Sequence, residues 1–280
     1  MFVVCLKKVV SVGLSYLFLI GMWGFTVLPI WEIFKTSVNP TKALVTTNVS
    51  FLPVAVTFEA YRDLFAKTFF VSWLINSTLV ATATTLCVVG FASMCGYALS
   101  RFEFFGKRAI LSFILVTQAF PLTMLLLPLV LLIAWFNLFD QVATLVLLNV
   151  VFVLPFCAWQ MKGYYDAIPP NLEWSAMVDG CDRFQAFYRI VFPLALPAVA
   201  VVALFAFIGA WGEYMIASIL IESPERYTLA LGLKEFTDSM TTDWGKYAAA
   251  ALVISIPVCL FFLVVNRWLI ESLNMSGIKS

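Results

Sequence analysis

The sequence predicts an all-α polytopic membrane protein with six transmembrane helices, and three observations carry that prediction. Of 280 residues, 62% are hydrophobic and 12% charged, too few polar side chains to coat a soluble protein of this size. Six stretches hold the ~20 apolar residues that a helix rising 1.5 Å per residue needs to cross a ~30 Å hydrocarbon core. Lysine and arginine also gather in alternate loops, as the positive-inside bias requires.

The first span, about 11–31, follows Lys7 and Lys8. The apolar run from Val9 to Trp31 is too long for a signal-peptide core and lacks an A-x-A-like cleavage site, so it reads as a retained anchor. A long loop follows, about 32–70, ending in the amphipathic FEAYRDLF, which fits a helix lying on the membrane interface. The second span covers about 73–99 and the third about 109–133, joined by the tight basic loop SRFEFFGKR. FNLFDQ, which carries no base, leads to the fourth span at about 142–161. The fifth covers about 194–219 and the sixth about 247–268. Pro121, Pro128, Pro155 and Pro257 predict kinks or unwound turns within these spans. The short loop with Arg101, Lys107 and Arg108 sets the orientation: both termini are expected in the cytoplasm. No repeat and no attached soluble domain is evident, so residues 1–280 read as a single transmembrane domain.

Several classes of function are excluded early. Histidine is absent, which removes histidine triads, histidine general acids and histidine metal sites. No metal site is expected. A net charge of +1 gives no support to a nucleic-acid partner. Cys5, Cys87, Cys95, Cys157, Cys181 and Cys259 are scattered without a CxxC pair and read as small packing residues. There is no GxxxxGK[ST] loop to bind a nucleotide.

One segment departs from the apolar pattern. Residues 162–193 read KGYYDAIPPNLEWSAMVDGCDRFQAFYRIVFP, on the expected cytoplasmic side. Pro169-Pro170 ends what precedes, and Asn171 suits the cap of a short helix. Gly180 breaks that helix, and Asp182 with Gln185 forms a capping box for a second. Phe184, Phe187, Tyr188 and Val191 then recur at i, i+3, i+4 and i+7, one apolar face, before Pro193 closes the helix. Such a face is covered by the protein's own spans, by the lipid interface or by a groove on a partner.

The pattern E-x-x-A-x-x-D-G, continued by F-x-x-I-x-x-P-L-x-x-P, resembles the EAA loop of ABC importer permeases. The match runs through Glu173, Ala176, Asp179, Gly180, Phe187, Ile190, Pro193, Leu194 and Pro197. Trp174, Ser175 and Cys181 depart from the usual acid, alanine and alanine. NPTKA, INSTLVA, ALSRFEFFGKR, FPLTMLLLPLVLL, IGAWGEYMIASIL and the terminal SGIKS extend the resemblance along nearly the whole chain. They are similar to the carbohydrate-uptake type, in particular the smaller permease subunit of transporters of the maltose kind.

The resemblance implies the ABC type I importer permease fold and a partner assembly. That assembly comprises a second permease subunit, two cytoplasmic ABC ATPase subunits that bind ATP and Mg, and an extracytoplasmic substrate-binding protein. This chain binds no cofactor itself and is not an enzyme. It implies coupling to the ATPase through residues 171–192, with Glu173, Ala176, Asp179, Gly180, Asp182, Phe184, Phe187 and Tyr188 as coupling residues. A tail of Ser276, Gly277, Ile278 and Lys279 would reach toward the ATPase. A disordered polar terminus is the alternative. The implied function is translocation of a sugar or oligosaccharide by alternating access. A permease for a polyol phosphate or an amino acid, or a stand-alone secondary carrier, remains the alternative.

Polar residues inside the spans are candidates for the substrate path. Glu213 lies in GAWGEYM with Trp211 and Tyr214 beside it, and an intramembrane acid costs ~2.5–3.5 kcal/mol on insertion scales, so it faces a cavity or a partner. The other reading is an aromatic anchor at headgroup level. Asn76, Gln118 and Asn149 either line the path or make helix–helix hydrogen bonds worth ~0.6 kcal/mol each.

Overall fold

The computed structural model describes residues 2–40, 51–53, 55–237 and 242–276, and its regular elements are all helical. Four helices are long and apolar enough to cross a membrane, and six when two bent helix pairs each count as one span. The chain divides into two compact units, Met1–Thr68 with Leu233–Ile254, and Phe69–Gly232 with Ser255–Ser280.

In the first unit, α1 (Phe2–Val38) is one continuous helix. The amphipathic stretch after it forms α2 (Glu59–Lys67), as its 3.6-residue pattern dictates. Leu64 on the inner face of α2 is fully buried, and the Tyr61 hydroxyl lies 2.8 Å from that of Ser37. Lys246, near the start of α13 (Trp244–Ser276), lies 3.9 Å from Asp63 and 3.4 Å from Asp243. The backbone is close here: a Cβ on Gly245 would meet Ala60 and the Thr36 carbonyl at 3.8 Å.

The second unit is built on α3 (Phe70–Arg101), α6 (Val142–Ala167) and α10 (Leu196–Trp211). Their shared core contains Val88, Ala92, Cys157, Ala158, Met161, Tyr165, Ala198 and Val202. Small residues on α3 let the backbones approach: a Cβ on Gly96 would stand 2.7 Å from Met161 Cβ and 2.8 Å from Lys162 N. Cys157 sits in this core as a free thiol and packs as a small hydrophobe. A second cluster, with Val80, Leu145, Leu148, Ile216 and Leu220, fills the other end of the unit.

The third and fifth apolar stretches are broken helices. α4 (Lys107–Ala119) and α5 (Leu122–Trp135) meet at Phe120-Pro121, where the proline caps α5 and the axis turns sharply. Pro128, Pro155 and Pro257 sit inside helices that continue through them, so the unwound turn comes at Pro121. Around residue 195 the chain bends by 75° between the helical turns ending at Leu194 and α10. Pro193 lies within α9 (Phe192–Leu194) and does not close the helix; the break comes two residues later, before Pro197 in the first turn of α10. α10 stops at Trp211, short of the expected 219, and GEYM unwinds before the short α11 (Ala217–Leu220).

Candidate functional site

The segment between α6 and α10 folds as two short helices around a sharp turn. α7 (Asn171–Val178) starts after Pro169-Pro170; Pro170 holds the N-cap position, and Asn171, expected there, is the first helical residue. The helix ends in a Schellman motif: Cys181 N–H donates to the Ala176 carbonyl at 3.0 Å and Gly180 N–H to that of Met177 at 3.1 Å. Gly180 holds φ +96°, the left-handed conformation this motif requires. Asp182 then caps α8 (Arg183–Ala186). Its carboxylate accepts from Gln185 N–H at 2.7 Å, and the Gln185 side chain accepts from Asp182 N–H at 3.3 Å.

The apolar stripe on the second helix does not stay on one face. Phe187–Val191 forms a π-helical turn, which shifts the register expected of a plain α-helix. Phe184 and Tyr188 are exposed, with ring centroids 5.8 Å apart. Phe187 is buried instead, 4.5 Å from the Tyr97 ring and within the α3–α6 core, as is Val191. Phe187, expected as a contact side chain, therefore supports the segment from beneath. Trp174 is 59% and Val178 86% exposed, so together with Phe184 and Tyr188 they leave an apolar outer surface on the two helices.

Glu173 also points inward. Arg101 Nε donates to its Oε1 at 2.5 Å, and the Tyr97 hydroxyl donates to its Oε2 at 2.8 Å. Arg101 Nη2 donates in addition to the Ile168 carbonyl at 2.8 Å. Both partners of the ion pair are largely shielded from solvent. A shielded pair adds little net stability, but removing one partner costs ~3–5 kcal/mol because the other charge is stranded. A cleft of about 230 Å³ opens beside the pair, lined by Ser100, Trp174, Met177 and Arg183 among others. The guanidinium of Arg183 lies 5.3 Å over the Phe102 ring. Ala176 is buried, while Asp179 is exposed and holds the C-cap of α7.

At the opposite end of α3, residues 222–229 are tied down from two sides. Trp73 Nε1 donates to the Pro224 carbonyl at 2.6 Å, and Asn76 Nδ2 to those of Glu225 and Tyr227 at 3.0 and 3.1 Å. Leu229 N–H donates to the Ser77 hydroxyl at 2.7 Å. From the other side, the Asp140 carboxylate accepts from Glu222 N–H, Ser223 N–H, the Ser223 hydroxyl and Arg226 Nη1, at 2.6–3.2 Å. Those bonds, the Ser223 hydroxyl first, hold the Asp140 carboxyl below the usual aspartate range. Asp140 and Asn137 both adopt positive φ, at 57° and 53°.

The six substrate-path candidates differ in burial and in bonding. Asn76 is committed to residues 225 and 227, and the buried Asn149 donates to Leu145 of its own helix at 2.9 Å. Glu213 accepts from the backbone N–H groups of Ile216 and Ala217 at 2.6 and 3.0 Å, the role of a helix cap. Trp211 is buried in a ring stack with Phe207 and, through it, Phe261. Gln118 and Tyr214 are exposed. No hydrogen bond joins any two of the six among the described residues. The tail residues Gly277, Ile278 and Lys279 lie outside the described residues, and Ser276 is the last residue of α13.

Arg101, Tyr97 and Asp140 are the residues that sequence reasoning missed. Arg101 was legible only as a topology marker, because its partner lies 72 positions away. The left-handed turn at Asp140 has a weak signal, since Asn and Asp are the side chains most tolerant of it.

Residues 88–274 match the family described as binding-protein-dependent transport system inner membrane component. The chain belongs to this family. The permease is 31% identical to the maltodextrin transport system permease protein MalD of Streptococcus pneumoniae, over 98% of each chain. It is 32% identical to the galactooligosaccharides transport system permease protein GanQ of Bacillus subtilis, over 98% of this chain and 97% of that one. To MalG, the maltose/maltodextrin permease protein of Salmonella typhimurium, it is 36% identical over 74% of this chain and 72% of that one. Its fold is shared with a chain of a bacterial ABC transporter that imports alginate. That likeness has a TM-score of 0.76 and 24% identity, covering 91% of the permease and 95% of the other chain.

Proposed function

We propose that the permease is one transmembrane subunit of an ATP-driven importer for a sugar or oligosaccharide, working by alternating access. The observation that carries this reading is the outer surface of Trp174, Val178, Phe184 and Tyr188 on a segment pinned firmly from behind. An apolar surface on rigid short helices suits a groove on a partner ATPase. The relatives that handle maltodextrin, maltose and galactooligosaccharides favour a carbohydrate as the solute. In this reading both termini face the cytoplasm, a second permease completes the pathway and a binding protein delivers the solute on the outer side. The chain itself catalyses nothing and holds no cofactor; ATP and Mg belong to the ATPase. Ser276 and the three residues after it extend toward that ATPase.

The test is reconstitution of the permease with its partner permease, ATPase and binding protein in proteoliposomes. ATP-dependent, binding-protein-dependent uptake of labelled maltodextrin or galactooligosaccharide supports the reading. Uptake driven by an ion gradient through the permease alone overturns it.

A further inference from the structure

The two ends of α3 carry several specific side-chain bonds, and one face of its middle is buried. At one end Tyr97 and Arg101 stand one helical turn apart. Arg101 holds Glu173 of α7 and the Ile168 carbonyl; Tyr97 holds Glu173 through its hydroxyl and Phe187 through its ring. α7 and the π turn that continues α8 are thus fastened to the same turn of α3. At the other end Trp73, Asn76 and Ser77, again within about one turn, bind the backbone of residues 224–229. Between them Val80, Ala81, Thr84, Thr85, Val88 and Ala92 are buried. The helix contains no proline, and Gly96 serves the close approach to Met161. The 21 steps from Asn76 to Tyr97 span about 30 Å at helical rise.

We infer that α3 is a rigid strut and that Tyr97 and Arg101 are positioning residues that make the 171–192 segment and α3 move as one body. The inference rests on the proposed importer function and adds to it the route by which force on the segment reaches residues 224–229. A displacement of α7 alone would strand a shielded guanidinium and a shielded carboxylate, which is costly. A displacement of α8 with the π turn that continues it would pull Phe187 out of the core. Neither helix has a low-cost way to move without α3. Packed elements of this kind shift between discrete arrangements rather than bending gradually.

The test uses the assembled transporter with its ATPase, partner permease and loaded binding protein. Arg101→Ala is expected to keep the ATPase associated and hydrolysing, while solute transported per ATP falls about tenfold, the scale of an ordinary coupling free energy. Tyr97→Phe keeps the ring against Phe187, loses the hydroxyl bond and gives a smaller loss in the same ratio. An unchanged ratio in both variants overturns the inference. A parallel loss of assembly and hydrolysis in Arg101→Ala would reflect folding. The decisive measurement is then made without disturbing the pair or the outer surface, between spin labels at Leu172 of α7 and Leu79 of α3, both exposed. Their separation is expected to stay constant when ATP is added. A change beyond about 5 Å, one helical pitch, overturns the strut. If the unlabelled wild-type assembly shows no ATP-driven uptake, the importer reading fails instead.

Discussion

Phe184 and Phe187 are three residues apart, and their environments could hardly differ more. The first is 67% exposed and the second 5%. Phe184→Asp is therefore expected to leave the permease folded and to weaken its co-purification with the ATPase by about tenfold, the loss of one well-buried aromatic at an interface. Phe187→Asp buries a charge among Tyr97, Tyr165 and Phe192, and should lower the thermal stability of the detergent-solubilised permease. Co-purification yields and melting curves of the two variants, compared side by side, check this. Asp140 makes a pH-dependent prediction. Its folded carboxyl titrates below the unfolded one, so its contribution is complete above the ordinary aspartate range, near 3.8, and is lost as pH falls through the depressed folded value. The protection factors of the Glu222 and Ser223 amides, corrected for intrinsic exchange, should fall at acid pH, and Asp140→Asn should remove most of that pH dependence. At this scale the sequence was a partial guide. Asp182 and Gln185 declared their capping box in four letters, whereas the inward turn of Glu173 depended on Arg101, far away along the chain.

At the scale of elements, local chemistry was the most legible. Gly180 signalled the break between the two short helices, and the structure supplies the reason: φ +96°, with no atom beyond its chain neighbours within 4 Å of the place a Cβ would occupy. Gly180→Ala is thus a conformational test free of steric clash. It should cost about 1 kcal/mol and speed exchange of the Cys181 amide about fivefold, as hydrogen exchange would read. The π turn at Phe187–Val191 was not legible, because nothing in FYRIV distinguishes i→i+5 from i→i+4 bonding. The prolines fell into two groups. Pro121 breaks a helix because it starts one, while Pro128, Pro155 and Pro257 are absorbed by helices that continue through them.

At the scale of the molecule, composition settled the class, since 62% hydrophobic residues leave too little polar surface for water. Helix count followed from segment length, but the bends near residues 120 and 195 did not, because hydropathy is blind to direction. The 18-residue window that marks α1 as a candidate span has none of its residues buried, and Leu17, Phe18, Trp23 and Phe25 are all more than 65% exposed. Such a surface needs lipid or another protein chain. In the proposed assembly ATP hydrolysis and solute uptake both need the partners, so the purified permease alone should show neither; ATPase and uptake assays with and without the partners read this out. The contact at Gly96 has a last consequence for anyone wishing to alter what the permease carries. With its backbone pressed against Met161 and Lys162, the seam between α3 and α6 is closed to anything as wide as a sugar ring. Mutant libraries aimed at a new cargo are best spent away from that seam.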